Sequence, residues 1–135
     1  MKRIAYTAGY LGHSPAELLT IADKLNAKIV DIRYVQTSRD PRWRFNALVK
    51  FLKWRFHGNA ALGNVRYKAG PPVEIVNIEA GIEDLLLIPA CLPIILLCAC
   101  REAETCHRSV VGAELVKRGW EVRELDWNGA EVRHD

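Results

Sequence analysis

Apolar segments with the spacing of strands alternate along the chain with segments of helical periodicity. Residues 4–7 predict a first strand, and the apolar run at 28–33 predicts a second, buried strand parallel to the first. Between them, Ser14-Pro15-Ala16-Glu17 supplies a capping hydroxyl, a proline at the first helical position and a glutamate three residues after the cap. This signature predicts a helix over 15–26.

The remaining segments continue the alternation. A loop is predicted at 36–42, followed by a helix at 46–56 with Leu48, Val49, Leu52 and Phe56 facing inward and a loop-rich region at 57–72. A strand at 73–78 and a helix at 80–88 come next. The last predicted elements of this part are a strand at 94–99, a loop at 100–105 and a helix from 106 or 107 to 118. Asn128-Gly129, between the runs 120–127 and 130–134, is a strong hairpin signal. We therefore expect a single α/β domain over 1–135, with three layers, a mostly parallel sheet and a C-terminal β-hairpin.

Composition agrees with one globular domain and excludes several other classes. Half of the 135 residues are apolar and 26% are charged, unlike disordered, collagen-like or coiled-coil chains. The uncharged run at 85–100 contains two prolines and is shorter than the roughly 20 residues that span a bilayer, so we interpret it as a helix end and a buried strand. With no apolar leader after Met1 and only four cysteines, we expect a cytoplasmic protein without a membrane partner.

The net charge of +3 conceals an uneven distribution. Residues 39–68 carry eight basic and one acidic side chain, whereas 69–135 carry six basic and twelve acidic ones. Aromatic residues are interleaved with this basic segment, as in sites that bind single-stranded nucleic acids. The same pattern is typical of an amphipathic helix with aromatic residues in the core. The acidic half would equally suit a homo-oligomer or pairing within the chain.

Cys106-His107-Arg108 follows a predicted buried strand and begins a helix. A helix N-terminus and a neighbouring histidine or arginine lower the pKa of a thiol, so Cys106 is a candidate nucleophile and Arg108 a candidate anion ligand. Alternatively, Cys106 packs the turn and Arg108 bonds to Asp31. His13 is a candidate acid or base, although its place at the start of a helix is more typical of a surface histidine.

The cysteines leave further alternatives open. A thiolate phosphate loop needs a cysteine six residues before its arginine, but Glu102 stands six before Arg108. Cys98, Cys100, Cys106 and His107 form a legitimate zinc set. However, neighbouring ligands at 106 and 107 are expected to diverge, and the paired-cysteine spacing of zinc knuckles is absent. We therefore assign no metal site and no cofactor, while metal binding by these four residues and a regulatory Cys98–Cys106 disulfide both stay open.

Four segments together resemble a known family. They are Tyr6-Thr7-Ala8-Gly9-Tyr10 with Ser14, Val30-Asp31-Ile32-Arg33-Tyr34 with Ser38-Arg39, Leu62-Gly63-Asn64, and Leu96-Leu97-Cys98-Ala99 followed by Cys106-His107-Arg108. In this order and over nearly the whole chain, they resemble the domain of unknown function 488 family of small bacterial and archaeal proteins.

The resemblance implies an α/β domain whose activity is not established. It also implies a site that comprises Tyr6, Gly9, Asp31, Arg33, Ser38, Cys98, Cys106, His107 and Arg108, with Arg39 beside Ser38. The chain departs from the family pattern at Cys100, where relatives usually have an acidic residue. It departs again at 56–61, where a strand containing proline and glutamate is usual.

Two functional hypotheses follow from the sequence. The first is an enzyme for an anionic, phosphate-bearing substrate such as a nucleotide or nucleic acid, with Cys106 as nucleophile, His107 or His13 as acid or base, and Arg33 with Arg108 as the anion clamp. The second is a non-catalytic module that binds nucleic acid or a protein through the basic segment 39–68.

Overall fold

The computed structural model describes residues 2–100 and 106–130. Five strands and four α-helices follow one another as β1 (Ile4–Gly9), α1 (Pro15–Leu25), β2 (Lys28–Asp31), α2 (Phe45–Leu52), β3 (Phe56–Gly58), α3 (Ile78–Leu85), β4 (Ile94–Cys98), α4 (His107–Lys117) and β5 (Glu121–Glu124). The strands form one sheet in the order β3-β2-β4-β1-β5, and every pair is parallel.

Helices cover both faces of the sheet. Leu18 of α1 and Leu48 of α2 belong to the apolar cluster on one face. Ile82 of α3 and Val111 of α4 belong to the cluster on the other face. This arrangement confirms the predicted three-layer α/β domain.

The local signals around α1 form as predicted. The Ser14 hydroxyl accepts a hydrogen bond from the Glu17 backbone N–H at 3.2 Å, and the Glu17 carboxylate accepts one from the Ser14 N–H at 3.1 Å. Asn26 ends the helix in the left-handed conformation, with φ 52°. The reciprocal cap and the left-handed residue determine where this helix begins and ends.

The order of the strands creates a switch point between β1 and β4. The connection from β1 runs through α1 towards β2, whereas the connection from β4 runs through α4 to β5 on the other side. The loops after the two strands therefore diverge at their carboxyl ends, where Gly9 is paired with Cys98. Ligands of open α/β sheets bind at such a point.

The helix predicted over 46–56 is wrong at its C-terminal end. It ends at Leu52, because Lys53 adopts a φ of 53° and Phe56 joins β2 as the edge strand β3. Val49, predicted to face inward, is 43% exposed. Tertiary pairing with β2 overrides the helical periodicity here.

The strand predicted over 73–78 is also wrong. Only Ile75 makes a β-bridge, to Asn64, and Ile78 already begins α3. The Asn77 side chain accepts a hydrogen bond from the Ala80 N–H at 3.1 Å, so the segment ends in a helix cap.

The predicted C-terminal hairpin does not form at Asn128-Gly129. These residues lie in a 3-10 turn, Trp127–Ala130, whose backbone accepts a hydrogen bond from Lys24 and whose Trp127 ring stacks on His13. Packing against α1 therefore outweighs the local turn preference. The returning strand expected after residue 130 lies outside the described residues, as does the predicted loop after Cys100.

In the described part of the chain, no helix has the length and apolar character needed to cross a membrane. As predicted, the apolar run at 85–100 contains the end of α3 and the buried strand β4.

Candidate functional site

Three thiols meet where β4 ends and α4 begins. The sulfur atoms of Cys98, Cys100 and Cys106 all lie within 4.8 Å of one another, and those of Cys98 and Cys106 are 2.8 Å apart. Cys98 and Cys106 are buried, whereas Cys100 is partly exposed. We call these three residues the thiol cluster.

Gly9 allows the backbone after β4 to lie directly over the end of β1. A Cβ atom at residue 9 would be 1.5 Å from the Cys100 carbonyl oxygen and 2.7 Å from Arg108 Nη1. No side chain fits between these atoms, so the thiol cluster requires glycine at this position.

The environments of the thiols drive their pKa values apart. Hydrogen bonds from Cys100 and Cys98, with a further contribution from His107, lower the pKa of Cys106 despite its burial. The hydrogen bonds to Cys100 and Cys106, together with burial, raise the pKa of Cys98. The pKa of Cys100 is also raised, mainly by its hydrogen bond to Cys106. The hydrogen bonds within the cluster thus favour the ionised form of Cys106 over those of Cys98 and Cys100.

His107 and Arg108 flank the cluster from the first turn of α4. His107 Nε2 lies 2.9 Å from the Ile32 carbonyl oxygen, to which it must donate, and Nδ1 lies 3.7 Å from Cys106 Sγ. Arg108 Nη1 donates to the Cys100 carbonyl at 2.8 Å and to Cys98 Sγ at 3.4 Å. Burial alone would lower the pKa of Arg108, but the hydrogen bond to Cys98 and the charges of Cys98, Cys106 and Glu124 outweigh it and raise that pKa.

Arg33 and Asp31 form a buried ion pair beside the cluster. Arg33 Nε and Nη2 donate to the two carboxylate oxygens at 2.8 and 2.6 Å. Nη1 donates to the carbonyls of Trp43 and Thr37 at 2.7 and 3.1 Å, and it is 3.3 Å from the Tyr10 hydroxyl. These contacts hold the loops after β1 and β2 together. They also occupy the hydrogen-bond donors of Arg33 with acceptors of the protein itself. The proposed role of Arg33 in an anion clamp stays a prediction.

The other residues predicted for the site lie away from the thiols. His13 Nδ1 is 3.1 Å from the Glu17 carboxylate, and the ring stacks on Trp127 beside α1. Tyr6 packs in the middle of β1 against the core. The Ser38 hydroxyl accepts a hydrogen bond from a backbone N–H in its own loop, and Arg39 is exposed.

A cavity of about 710 Å³ opens next to the thiol cluster, at the carboxyl edge of β2 and β4. Cys100 and His107 contribute to its wall, together with the loop after β2 and the segment 64–73. The lining residues are Arg33, Tyr34, Val35, Thr37, Asn64, Arg66, Tyr67, Lys68, Gly70, Pro71, Val73, Ala99, Cys100 and His107. Its volume is in the range of small-molecule sites.

Asn64 holds the base of the segment that forms the outer wall. Its side-chain oxygen accepts hydrogen bonds from the backbone N–H groups of Arg66 and Glu74, both at 3.0 Å. Gly63 lies against the backbone of Tyr34, where a Cβ atom would approach the Tyr34 Cα to 2.5 Å. The outer wall is thus fixed to the loop after β2.

Cationic and aromatic side chains converge on this wall. Tyr34 and Tyr67 are 43% and 48% exposed, and their ring centroids are 6.0 Å apart. The Lys68 ammonium lies 5.6 Å from the centre of the Tyr67 ring. Arg66 Nε is buried, and no acceptor among the described residues bonds to it.

In the sequence, Arg66, Tyr67 and Lys68 belong to the broad basic segment 39–68, and Tyr34 precedes it. In the structure that segment is divided. Arg55 is buried and pairs with Asp23, and Trp54 lies near the amino end of β2, whereas Arg66 and Lys68 line the cavity at the carboxyl edge. The interleaving of basic and aromatic residues is the sequence signal for a binding surface. Only the fold separates the residues at the cavity from those at the amino end of β2.

Comparisons with protein-family models, with curated proteins and with solved structures found no match. The resemblance to the domain of unknown function 488 family therefore stays a prediction based on the four segments that carry it.

Proposed function

We propose that the protein binds a small anionic ligand with a planar group, such as a nucleotide, in the cavity beside the thiol cluster. The observation that carries this proposal is the composition of the cavity wall. Besides Arg33, which is paired with Asp31, it combines the cations Arg66 and Lys68 with two exposed rings, Tyr34 and Tyr67. Cations attract a phosphate and rings stack on a base.

Arg66 gives the proposal its most specific contact. Its Nε–H is buried without an acceptor in the described part of the protein. Leaving such a donor unpaired costs roughly 1–3 kcal/mol, more where the group is charged. This atom has almost no accessible surface in the structure, so an anionic oxygen in the cavity would satisfy it after a rotation of the Arg66 side chain.

The structure gives weaker support for catalysis by the Cys106 thiol than for ligand binding in the cavity. Its pKa is lowered, but its sulfur is buried and does not contribute to the cavity wall. Cys100 does contribute to that wall. The proposal therefore assigns ligand recognition to the cavity, and the catalytic role of Cys106 stays a prediction.

Calorimetric titration with the four common ribonucleoside 5′-monophosphates tests the binding function. We expect at least one nucleotide to bind more tightly than its nucleoside and more tightly than inorganic phosphate. Arg66→Gln should weaken this binding at least about tenfold, because it removes a charge-assisted hydrogen bond. Lys50→Gln, the same change of charge at an exposed position of α2, should leave the affinity within about twofold.

Absence of binding by all four nucleotides would contradict the proposal. Equal effects of the Arg66 and Lys50 substitutions would contradict it as well, because they would show that net charge rather than the cavity attracts the ligand.

The binding-module alternative makes a different prediction. A single-stranded nucleic acid would span several basic side chains, and its affinity would fall steeply with salt. The division of the basic segment between two edges of the sheet favours the small ligand. Titration with an oligothymidylate at increasing salt concentrations distinguishes the small ligand from the nucleic acid. An affinity that falls steeply with salt, in the parent and in Arg66→Gln alike, would favour the nucleic acid.

A further inference from the structure

We propose that Cys98, Cys100 and Cys106 bind one zinc ion, with His107 Nδ1 as the fourth ligand. This inference goes beyond ligand binding in the cavity and does not depend on it. It starts from the convergence of three sulfur atoms at the junction of β4 and α4, within 4.8 Å of one another. Three cysteines and one histidine are a common ligand set of zinc in proteins.

The spacing of the sulfur atoms suits a tetrahedral ion after small movements. Zn–S bonds of about 2.3 Å place two sulfur ligands about 3.8 Å apart. In the structure, the Cys98–Cys106 separation of 2.8 Å is below this value, and no pair in the thiol cluster exceeds 4.8 Å. Shifts of about 1 Å would therefore bring all three sulfur atoms to bonding distance.

His107 has the tautomer that a metal ligand needs. Because a carbonyl oxygen only accepts hydrogen bonds, the 2.9 Å contact with Ile32 places a proton on Nε2. In the neutral ring, Nδ1 then keeps its lone pair, and this atom is 3.7 Å from Cys106 Sγ. Histidine ligands of metals usually donate their second N–H to a carbonyl or carboxylate in this way.

The divergence expected for adjacent ligands at 106 and 107 is seen in part, because Nδ1 is near Cys106 Sγ but is more than 4.8 Å from at least one of the other two sulfur atoms. The imidazole ring must therefore move to complete the ligand set. Cys106 is the N-cap of α4 with an extended backbone, ψ 143°, and His107 begins the helix. After this change of backbone conformation, His107 Nδ1 lies 3.7 Å from Cys106 Sγ.

The charges around the cluster suit a divalent ion. Three thiolates carry three negative charges, and a zinc ion neutralises two of them. Arg108 Nη1, which donates to Cys98 Sγ at 3.4 Å, supplies the remaining positive charge. Arg108 also pairs with Glu124, whose carboxylate is 47% exposed and is therefore screened by water.

Metal titration of the reduced full-length protein tests this site. Co(II) serves as a spectroscopic probe, because tetrahedral thiolate coordination gives intense visible bands and sulfur-to-metal charge transfer. We expect one Co(II) per chain, its complete displacement by one Zn(II), and one zinc retained per chain after gel filtration.

Variants test whether the thiol cluster is the site. Competition with a chromophoric chelator should show that Cys100→Ser and Cys106→Ser weaken zinc binding at least about 100-fold, beyond the 10–100-fold typical of lost outer-shell contacts. Cys91→Ser removes an exposed thiol outside the cluster and should keep the affinity within about twofold. Cys100 is partly exposed, so its substitution is informative even where the Cys106 variant fails to fold.

Three outcomes would overturn the proposal. The first is an octahedral Co(II) spectrum without thiolate charge transfer. The second is equal loss of zinc affinity in Cys91→Ser and Cys100→Ser. The third is a reduced protein that takes up no metal and instead forms a Cys98–Cys106 disulfide on mild oxidation.

Discussion

Arg33 binds the carboxylate of Asp31 through two parallel hydrogen bonds, and neither side chain is more than 5% exposed. Asp31 is the last residue of β2, and Arg33 lies in the loop that follows. Through Arg33 the pair also engages the carbonyls of Trp43 and Thr37. The ion pair therefore connects the end of the sheet to the loop that forms one wall of the cavity.

Asp31→Asn should strongly destabilise the protein. It leaves the Arg33 charge buried without its counter-ion, and such a loss costs about 3–5 kcal/mol. The free energy of unfolding from denaturant titration measures the effect. Asp40→Asn, which breaks the exposed pair with Arg42, is the matched control and should cost clearly less. Equal effects would show that the buried pair has no special role in stability.

Gly9→Ala should destabilise the fold and disturb the thiol cluster. The added Cβ would lie 1.5 Å from the Cys100 carbonyl oxygen, a backbone atom that cannot rotate away. We expect a loss of about 1–3 kcal/mol. Gly129→Ala is the control, because its Cβ would approach nothing closer than Ile21 at 3.9 Å. A variant as stable as the parent would contradict the close approach of the two backbones.

The Glu17 carboxylate should stabilise α1 in a pH-dependent manner. The hydrogen bond from His13, followed by those from Ser14, lowers the pKa of Glu17 below its ordinary 4.5. Folding therefore favours the ionised form. Its contribution is complete above pH 4.5 and is lost as the pH falls through the lower, folded-state value.

Thermal unfolding at a series of pH values checks this prediction. Between neutral and acidic pH, the parent should lose more stability than Glu17→Gln, because the amide keeps an acceptor for the Ser14 N–H but does not titrate. Parallel pH profiles for the two proteins would contradict the lowered pKa.

Burial should outweigh ionisation in the reactivity of the cysteines. In the reduced, metal-free protein, iodoacetamide should modify exposed Cys91 first and partly exposed Cys100 next. Cys106 should react slowly despite its lowered pKa, because its side chain is only 2% exposed. Peptide mass spectrometry over time gives the order. Rapid alkylation of Cys106 would contradict this expectation and would support its role as a nucleophile.

The sequence predicted the parts of the fold whose signals are local. The capping box before α1 and the apolar run of β4 both appear where expected. The errors arose where distant contacts decide the structure. Phe56 continues a helical pattern but pairs with β2, and Asn128-Gly129 suits a hairpin but packs against α1.

The candidate site was also predictable only in part. Parallel strands bring their carboxyl ends together, so a cluster near Cys98 and Cys106 could be anticipated from strand order alone. The cavity could not, because Arg66 and Tyr67 reach it through a long segment held in place by Asn64. Neither the path of such a segment nor the orientation of His107 has a local sequence signal.

The two edge strands bear on how copies of this chain can associate. β3 has only three residues, and β5, Glu-Val-Arg-Glu, carries three charged side chains. Short and charged edges prevent a neighbouring molecule from adding a strand to the sheet. In the described part of the protein, self-association through a continuous intermolecular sheet is therefore disfavoured, and a homo-oligomer would have to form through the helical faces.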